Sequence, residues 1–398
     1  MIIGIADTLG PVIPYFRDGV PVAPRVAFDW AEAEETPQGR ARELFLPWGK
    51  APKMGTHFAL PDQANALEAI AKNGRAGFYE GSVAEDMVNS LRALGGQHTL
   101  DDFAATSADY TAPVSGMHNG LELVEHPPNG MGATAILMNA ILSHFDIASL
   151  DPFGTKRAHI EAEAAKLAYD ARDRFIADPD HTTALAHMLA PETAAQLAAL
   201  INPNAAMAAA APISESVHKD TIYITVVDRD RMAVSLIYSI FHGFGSGIAS
   251  EKFGILLQNR GAGFTLQEGH PNELGGNKRP MHTIIPGMLR ENGKIVMPFG
   301  VMGGAYQPNG HARFVSNMVD FGMDPQTAID APRCFSDNGT MKVERGYSEK
   351  VRRELADLGH KVEVPDGPIG GAQAIMIHDT GVLEGGSDPR KDGCALGY

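Results

Sequence analysis

Lys219-Asp220-Thr221-Ile222-Tyr223-Ile224-Thr225-Val226-Val227-Asp228 is a β-branched run that opens on a threonine after a polar, loop-like segment. Such a run reads as a buried strand. Glycine pairs and small hydroxyl residues are dense downstream of it. That texture suits a chain that cuts itself before Thr221. The cut leaves a threonine with both a hydroxyl nucleophile and a free α-amine. An α-amine has a pKa of about 8, so it can serve as general base for its own side chain at neutral pH.

Self-cleavage needs the Thr221 hydroxyl to attack the carbonyl of Asp220, donors for the oxyanion that develops, and the product amine close by. A second apolar run, Val234-Ser235-Leu236-Ile237-Tyr238-Ser239, follows Arg229-Asp230-Arg231. If the two runs pair as a hairpin, Ser239 falls beside the start of the first and can hydrogen-bond Thr221. Gly303-Gly304 ends the run Ile295 to Met302, and a glycine pair lets backbone N–H groups approach a reacting carbonyl. A threonine at a strand edge and a glycine pair after a strand also have purely structural readings. The residues alone leave both open. Gly243-Phe244-Gly245-Ser246-Gly247 lacks the Lys-Ser/Thr ending of a phosphate loop.

The chain of 398 residues has room for two or three domains or one large α/β unit. Its 44% hydrophobic and 20% charged content is that of a soluble globular protein. A formal net charge of −15 argues against nucleic-acid partners. No run of 18 apolar residues is present, so no membrane span is expected. Cys334 and Cys394 are too few for a disulfide framework or a cysteine zinc site. The His118/His126 and His181/His187 pairs do not have helical ligand spacing. No metal or cofactor is expected. Residues 1–7 carry no signal-peptide pattern, so the chain as it stands reads as cytoplasmic, with a periplasmic or secreted location the alternative if an N-terminal segment precedes it. Helices are predicted from Pro61 to Gly74, from Ser82 to Ala93, and over 132–146, 157–176, 308–320 and 347–358. In 157–176 the apolar residues Ile160, Ala164, Leu167 and Ala168 face inward and charged residues outward. Strands are predicted at 121–126, 222–228, 232–240, 254–258, 283–289, 294–300 and 372–378, and Pro127-Pro128-Asn129-Gly130 is a turn. The alanine-rich piece Ala205 to Pro212 is read as a surface segment ahead of the cut. Strand pairs under helices give an α+β layered arrangement.

At these residues the chain resembles the γ-glutamyltransferase (glutathione hydrolase) family of N-terminal-nucleophile hydrolases. The resemblance runs through Phe45-Leu46-Pro47-Trp48-Gly49-Lys50, Ala76-Gly77-Phe78-Tyr79-Glu80-Gly81, Asp220-Thr221, Phe244-Gly245-Ser246-Gly247, Lys278-Arg279-Pro280, Gly303-Gly304, Asp330-Ala331-Pro332-Arg333 and the end Gly386 to Ala395. It implies a four-layer αββα sandwich and self-processing of a zymogen. The products are a large subunit (1–220) and a small subunit (221–398) that remain together as a heterodimer, with a higher oligomer compatible. It further implies Thr221 as nucleophile, Ser239 in place of a second supporting threonine, and Gly303 and Gly304 at the oxyanion hole. Relative to the family, the chain enters partway through the large subunit, without the stretch that brings an arginine for the substrate carboxylate.

The substrate-reading positions also differ. Phe241 stands where the family has an asparagine. Arg260 and its neighbours stand where an aspartate holds an α-ammonium. His282-Thr283 replace paired serines. Arg260 offers a fork suited to a carboxylate, or serves as a structural ion-pair partner. His282 is expected to donate or switch charge near neutral pH. The expected activity is an amidohydrolase or acyltransferase that forms a threonine acyl-enzyme on a small-molecule γ-glutamyl or related amide, with acidic amides lacking an α-amine preferred. The alternative is an inactive relative that serves as a binding or assembly module.

Overall fold

The computed structural model describes residues 3–207 and 221–398, so Asp220 and the alanine-rich piece beyond Met207 lie outside the described residues. Two compact units emerge. One joins residues up to Tyr110 to His242–Asn259, and the other joins Thr111–Phe241 to Arg260–Tyr398.

In the first unit, the expected helices form as α1 (Pro61–Asn73), ending on Gly74 with φ 60°, and α2 (Gly81–Ala93). Val83, Met87 and Val88 are buried on one face of α2, with Leu91 half-buried beside them. Val83 and Met87 pack with Phe253. The expected strand at 254–258 does not form, and Leu256 makes only an isolated bridge to Ala249. The cause is local competition for amides. Asp86 accepts from the N–H groups of Lys252 and Phe253, each at 2.9 Å, and Ser250 Oγ accepts from Ile255 N–H. Side chains thus take donors that a sheet would need. The Ser246 N–H and hydroxyl both donate to the Leu257 carbonyl, which ties the glycine turn to this run.

The second unit holds β1 (Val114–His118), β2 (Leu121–Glu125), α3 (Gly132–Leu142), α4 (Thr155–Phe175), β3 (Thr221–Val227), β4 (Ala233–Ser239), β5 (Gly287–Glu291), β6 (Lys294–Met302), α5 (Gln307–Val319), α6 (Glu349–Asp357), β7 (Gly371–Ile377) and β8 (Leu383–Ser387). Six strands form one antiparallel sheet in the order β8-β7-β6-β5-β2-β1, and β3 and β4 form a separate hairpin. The expected covalent boundary at 220/221 does not divide this sheet, since β1 and β2 precede it. The architecture is α+β. Helix α3 ends four residues earlier than predicted, where the chain breaks into single turns at Ser143–Phe145. Helix α4 buries its apolar face as read, but Arg157, Glu161, Glu163 and Arg172 are buried too. They are paired rather than solvated: Arg313 donates to Glu161 at 2.5 Å and Arg157 to Asn317 at 2.6 Å. A small sheet over Cys334–Asp337 and Thr340–Val343 was not expected, although its Asn338-Gly339 turn is a readable hairpin signal.

Strand β6 alternates its faces. Met297, Phe299 and Val301 pack with α3, α4 and α5 in the main core. Met302 packs with Tyr223 and Ile237 of the hairpin. Gly300 is glycine because the Tyr223 ring lies on it: a Cβ there would sit 2.3 Å from a ring carbon. The other face of the hairpin carries Ile222, Ile224, Val226, Val234, Leu236 and Tyr238, each at least 43% exposed. The run read as a buried strand is therefore buried on one face only. Replacing Gly300 by alanine forces the ring off β6 and is expected to cost about 1–3 kcal/mol, measured as a lower urea midpoint. A midpoint unchanged from wild type contradicts this seating.

Candidate active site

Thr221 opens β3 and pairs directly with Ser239, the last residue of β4. The hairpin expected through Arg229-Asp230-Arg231 thus forms, and it sets the Thr221 hydroxyl 3.3 Å from Ser239 Oγ. Contacts with β6 fix the height of this pair. Thr225 donates to the Pro298 carbonyl at 3.4 Å, and Tyr223 lies on Gly300. Residue numbers fall on β3 as they rise on β6. The same spacing carried two residues further points Thr221 toward the Met302 end of β6, which leads into Gly303.

Gly303 and Gly304 have φ values of 136° and 57°, which favour glycine. A Cβ on Gly303 would lie 3.0 Å from the Cα of Gly370, so the two backbones touch. Gly304 begins a single 3-10 turn (Gly304–Tyr306) that runs straight into α5. Amides at such a start have no intrahelical acceptor, and the helix dipole adds positive potential there. The turn therefore offers backbone donors at that strand end.

From Ser239 a line of contacts leads to the remaining expected residues. Phe241 N–H donates to Ser239 Oγ at 2.9 Å, and this bond holds Phe241 at a φ of 79°, a conformation rare for an aromatic residue. The Arg260 guanidinium lies 4.5 Å from the centroid of the Phe241 ring. Arg260 also donates to Thr283 Oγ1 at 2.8 Å. His282 follows, with Nδ1 at 2.7 Å from both the Asn129 amide and the Pro280 carbonyl. The structure thus brings together Thr221, Ser239, Phe241, Arg260, His282 and Thr283, with Gly303 and Gly304 at the adjoining strand end. Asp220 lies outside the described residues. Sequence reasoning missed Asn129, whose Pro-Pro-Asn-Gly setting was read only as a turn; Gly370-Gly371, legible as a tight turn of close approach, backs the glycine pair.

Burial governs the charges. It lowers the Arg260 pKa to about 10, leaving the guanidinium charged at neutral pH. Burial, with Arg260 adding to it, pulls His282 down to about 4. The expected charge switch near neutrality is therefore corrected: His282 is a neutral ring across that range. Between pH 6.5 and about 4 the unfolded chain binds a proton at this position that the folded chain does not, so stability falls as pH drops through that window. A His282→Gln variant is expected to show a flatter stability profile there by urea titration. An identical slope contradicts the assignment.

The family profile described as Gamma-glutamyltranspeptidase matches residues 3–398. A glutathione hydrolase-like proenzyme of Bacillus subtilis is 36% identical over 99% of this chain and 77% of its own. An oxamate amidohydrolase proenzyme of Klebsiella pneumoniae is 34% identical over 99% of this chain and 76% of its own. The crystal structure of a cephalosporin acylase from Bacillus halodurans superposes with a TM-score of 0.90 at 32% identity, covering all of this chain and 75% of that one. Fold and sequence agree: the chain belongs to the γ-glutamyltranspeptidase family and is a self-processing amidohydrolase of the N-terminal-nucleophile fold.

Proposed function

We propose that the Asp220–Thr221 peptide breaks and that Thr221 then attacks the carbonyl of a small-molecule amide. The α-amine of Thr221 takes the hydroxyl proton and delivers it to the departing amine. Gly303 and Gly304 hold the oxyanion through backbone N–H groups. Ser239 orients the nucleophile. The acyl group on Thr221 Oγ1 is released by water or by an amine acceptor. Residues 1–220 and 221–398 stay together as a heterodimer of large and small subunits. The observation that supports this reading is the register that sets Thr221 against Ser239, together with the contacts of Thr225 and Tyr223 on β6, the strand that leads into Gly303.

Arg260 narrows the acyl group. It brings a buried positive charge to the wall, braced by Phe241 and Thr283, and His282 beside it is neutral. Such a wall favours a carboxylate and disfavours an α-ammonium. The substrate class is therefore an acyl amide with an acidic group and no α-amine. One similar protein is by name an oxamate amidohydrolase, which fits this class.

Two chromogenic anilides test the reading. 4-Nitrooxanilate is expected to give the higher kcat/KM and γ-glutamyl-4-nitroanilide the lower. Arg260→Met is expected to raise KM for 4-nitrooxanilate by about tenfold or more, the scale of one lost charge-assisted hydrogen bond. Preference for the γ-glutamyl compound, or an unchanged KM, overturns the substrate assignment. Thr221→Ala is expected to remain one band on a denaturing gel and to turn over neither compound.

A further inference from the structure

Helix α5 carries two buried side chains that the chemistry above does not use, Gln307 and His311. They are four residues apart and so share one helix face. Both point into a split in the central sheet. Strand β5 begins at Gly287, opposite Phe299, whereas β6 continues to Met302. Beyond Phe299 no β5 residue pairs with β6, which keeps only β7 as its neighbour, and the N–H groups of Ile285 and Val301 take side-chain acceptors.

Helix α5 supplies the acceptors. Gln307 Oε1 accepts from Ile285 N–H at 3.0 Å on one side of the split. His311 Nε2 accepts from Val301 N–H at 3.1 Å on the other. A neutral imidazole that accepts at Nε2 carries its proton on Nδ1. That proton goes to Glu125 Oε1 on β2, 2.6 Å away. Glu125 thus sets the tautomer that lets His311 accept. Both His311 and Glu125 are wholly inaccessible to solvent. The fit is close: a Cβ on Gly287 would lie 3.0 Å from the imidazole.

The two chains held apart lead to opposite parts of the site. Val301 lies two residues before Gly303, and Ile285 lies two residues after Thr283. We propose that Gln307, His311 and Glu125 form a polar wedge that sets the spacing between the glycine turn and the Thr283–Arg260 wall. They are positioning residues for the oxyanion donors and do not touch substrate. The proposal rests on the reading of Thr221 and the glycine pair given above.

The test uses the processed enzyme and whichever of 4-nitrooxanilate and γ-glutamyl-4-nitroanilide the wild type turns over faster, with rates expressed per freed Thr221. His311→Leu and Gln307→Met remove the acceptors. Each is expected to lower kcat about tenfold while KM stays within about twofold, the signature of a loss felt in the transition state. His311→Gln keeps one acceptor and one donor and is expected to recover most of the rate. A kcat per freed Thr221 equal to wild type in the acceptor-less variants overturns the wedge, as does a His311→Gln variant no better than His311→Leu. If His311→Leu yields no folded protein, Gln307→Met decides by the same criterion. Turnover that survives in Thr221→Ala refutes the underlying site reading instead.

Discussion

The seating of the Tyr223 ring on Gly300 fixes the rest of the site. It is the contact that locks the Thr221 hairpin to the central sheet. Burying a large side chain of this kind contributes about 1.5–3 kcal/mol. The hydroxyl-to-carbonyl bonds of Thr225 and Ser235 to β6, at 3.4 and 3.2 Å, contribute about 1 kcal/mol each at best. Packing therefore sets the register, and the polar contacts refine it. The Tyr223 hydroxyl is satisfied by Ser235 at 2.7 Å, so the ring can be buried without stranding a donor. A slip of the hairpin by one residue would turn Thr221 to the opposite face and leave the glycine turn without its proposed nucleophile.

One physical cause acts on two side chains of the wall with different outcomes. Burial lowers the pKa of both Arg260 and His282. Arginine starts far enough above neutrality to remain a cation, and histidine does not. The wall therefore carries a fixed positive charge with no titration near pH 7 at His282. Thr283 and Phe241 brace the guanidinium from two directions, which would limit the conformational entropy lost on binding the proposed carboxylate. Specificity in this account comes from the wall, and reactivity comes from the turn between β6 and α5.

Much of this arrangement was legible in the sequence, because the signals were local. Alternation and β-branching located β3, β4 and β6, and the Arg229-Asp230-Arg231 turn placed Ser239 opposite Thr221. The charge state of His282 was not legible, since it depends on burial that no spacing reveals. Nor were the buried ions of α4. Arg157 and Glu161 look like an exposed helical pair until α5 supplies Asn317 and Arg313 as partners. The run 254–258 has strand composition, yet Asp86 and Ser250 claim neighbouring amides. Tertiary competition for hydrogen bonds, rather than propensity, decided those positions.

Acid-quenched intact mass spectrometry of the wild-type protein during turnover addresses the chemistry most directly. The account predicts a polypeptide that begins at Thr221 and ends at Tyr398, a fraction of it heavier by one acyl group lost on adding base. A single chain at the full 42.5 kDa that turns over substrate while residues 220 and 221 remain joined would contradict it.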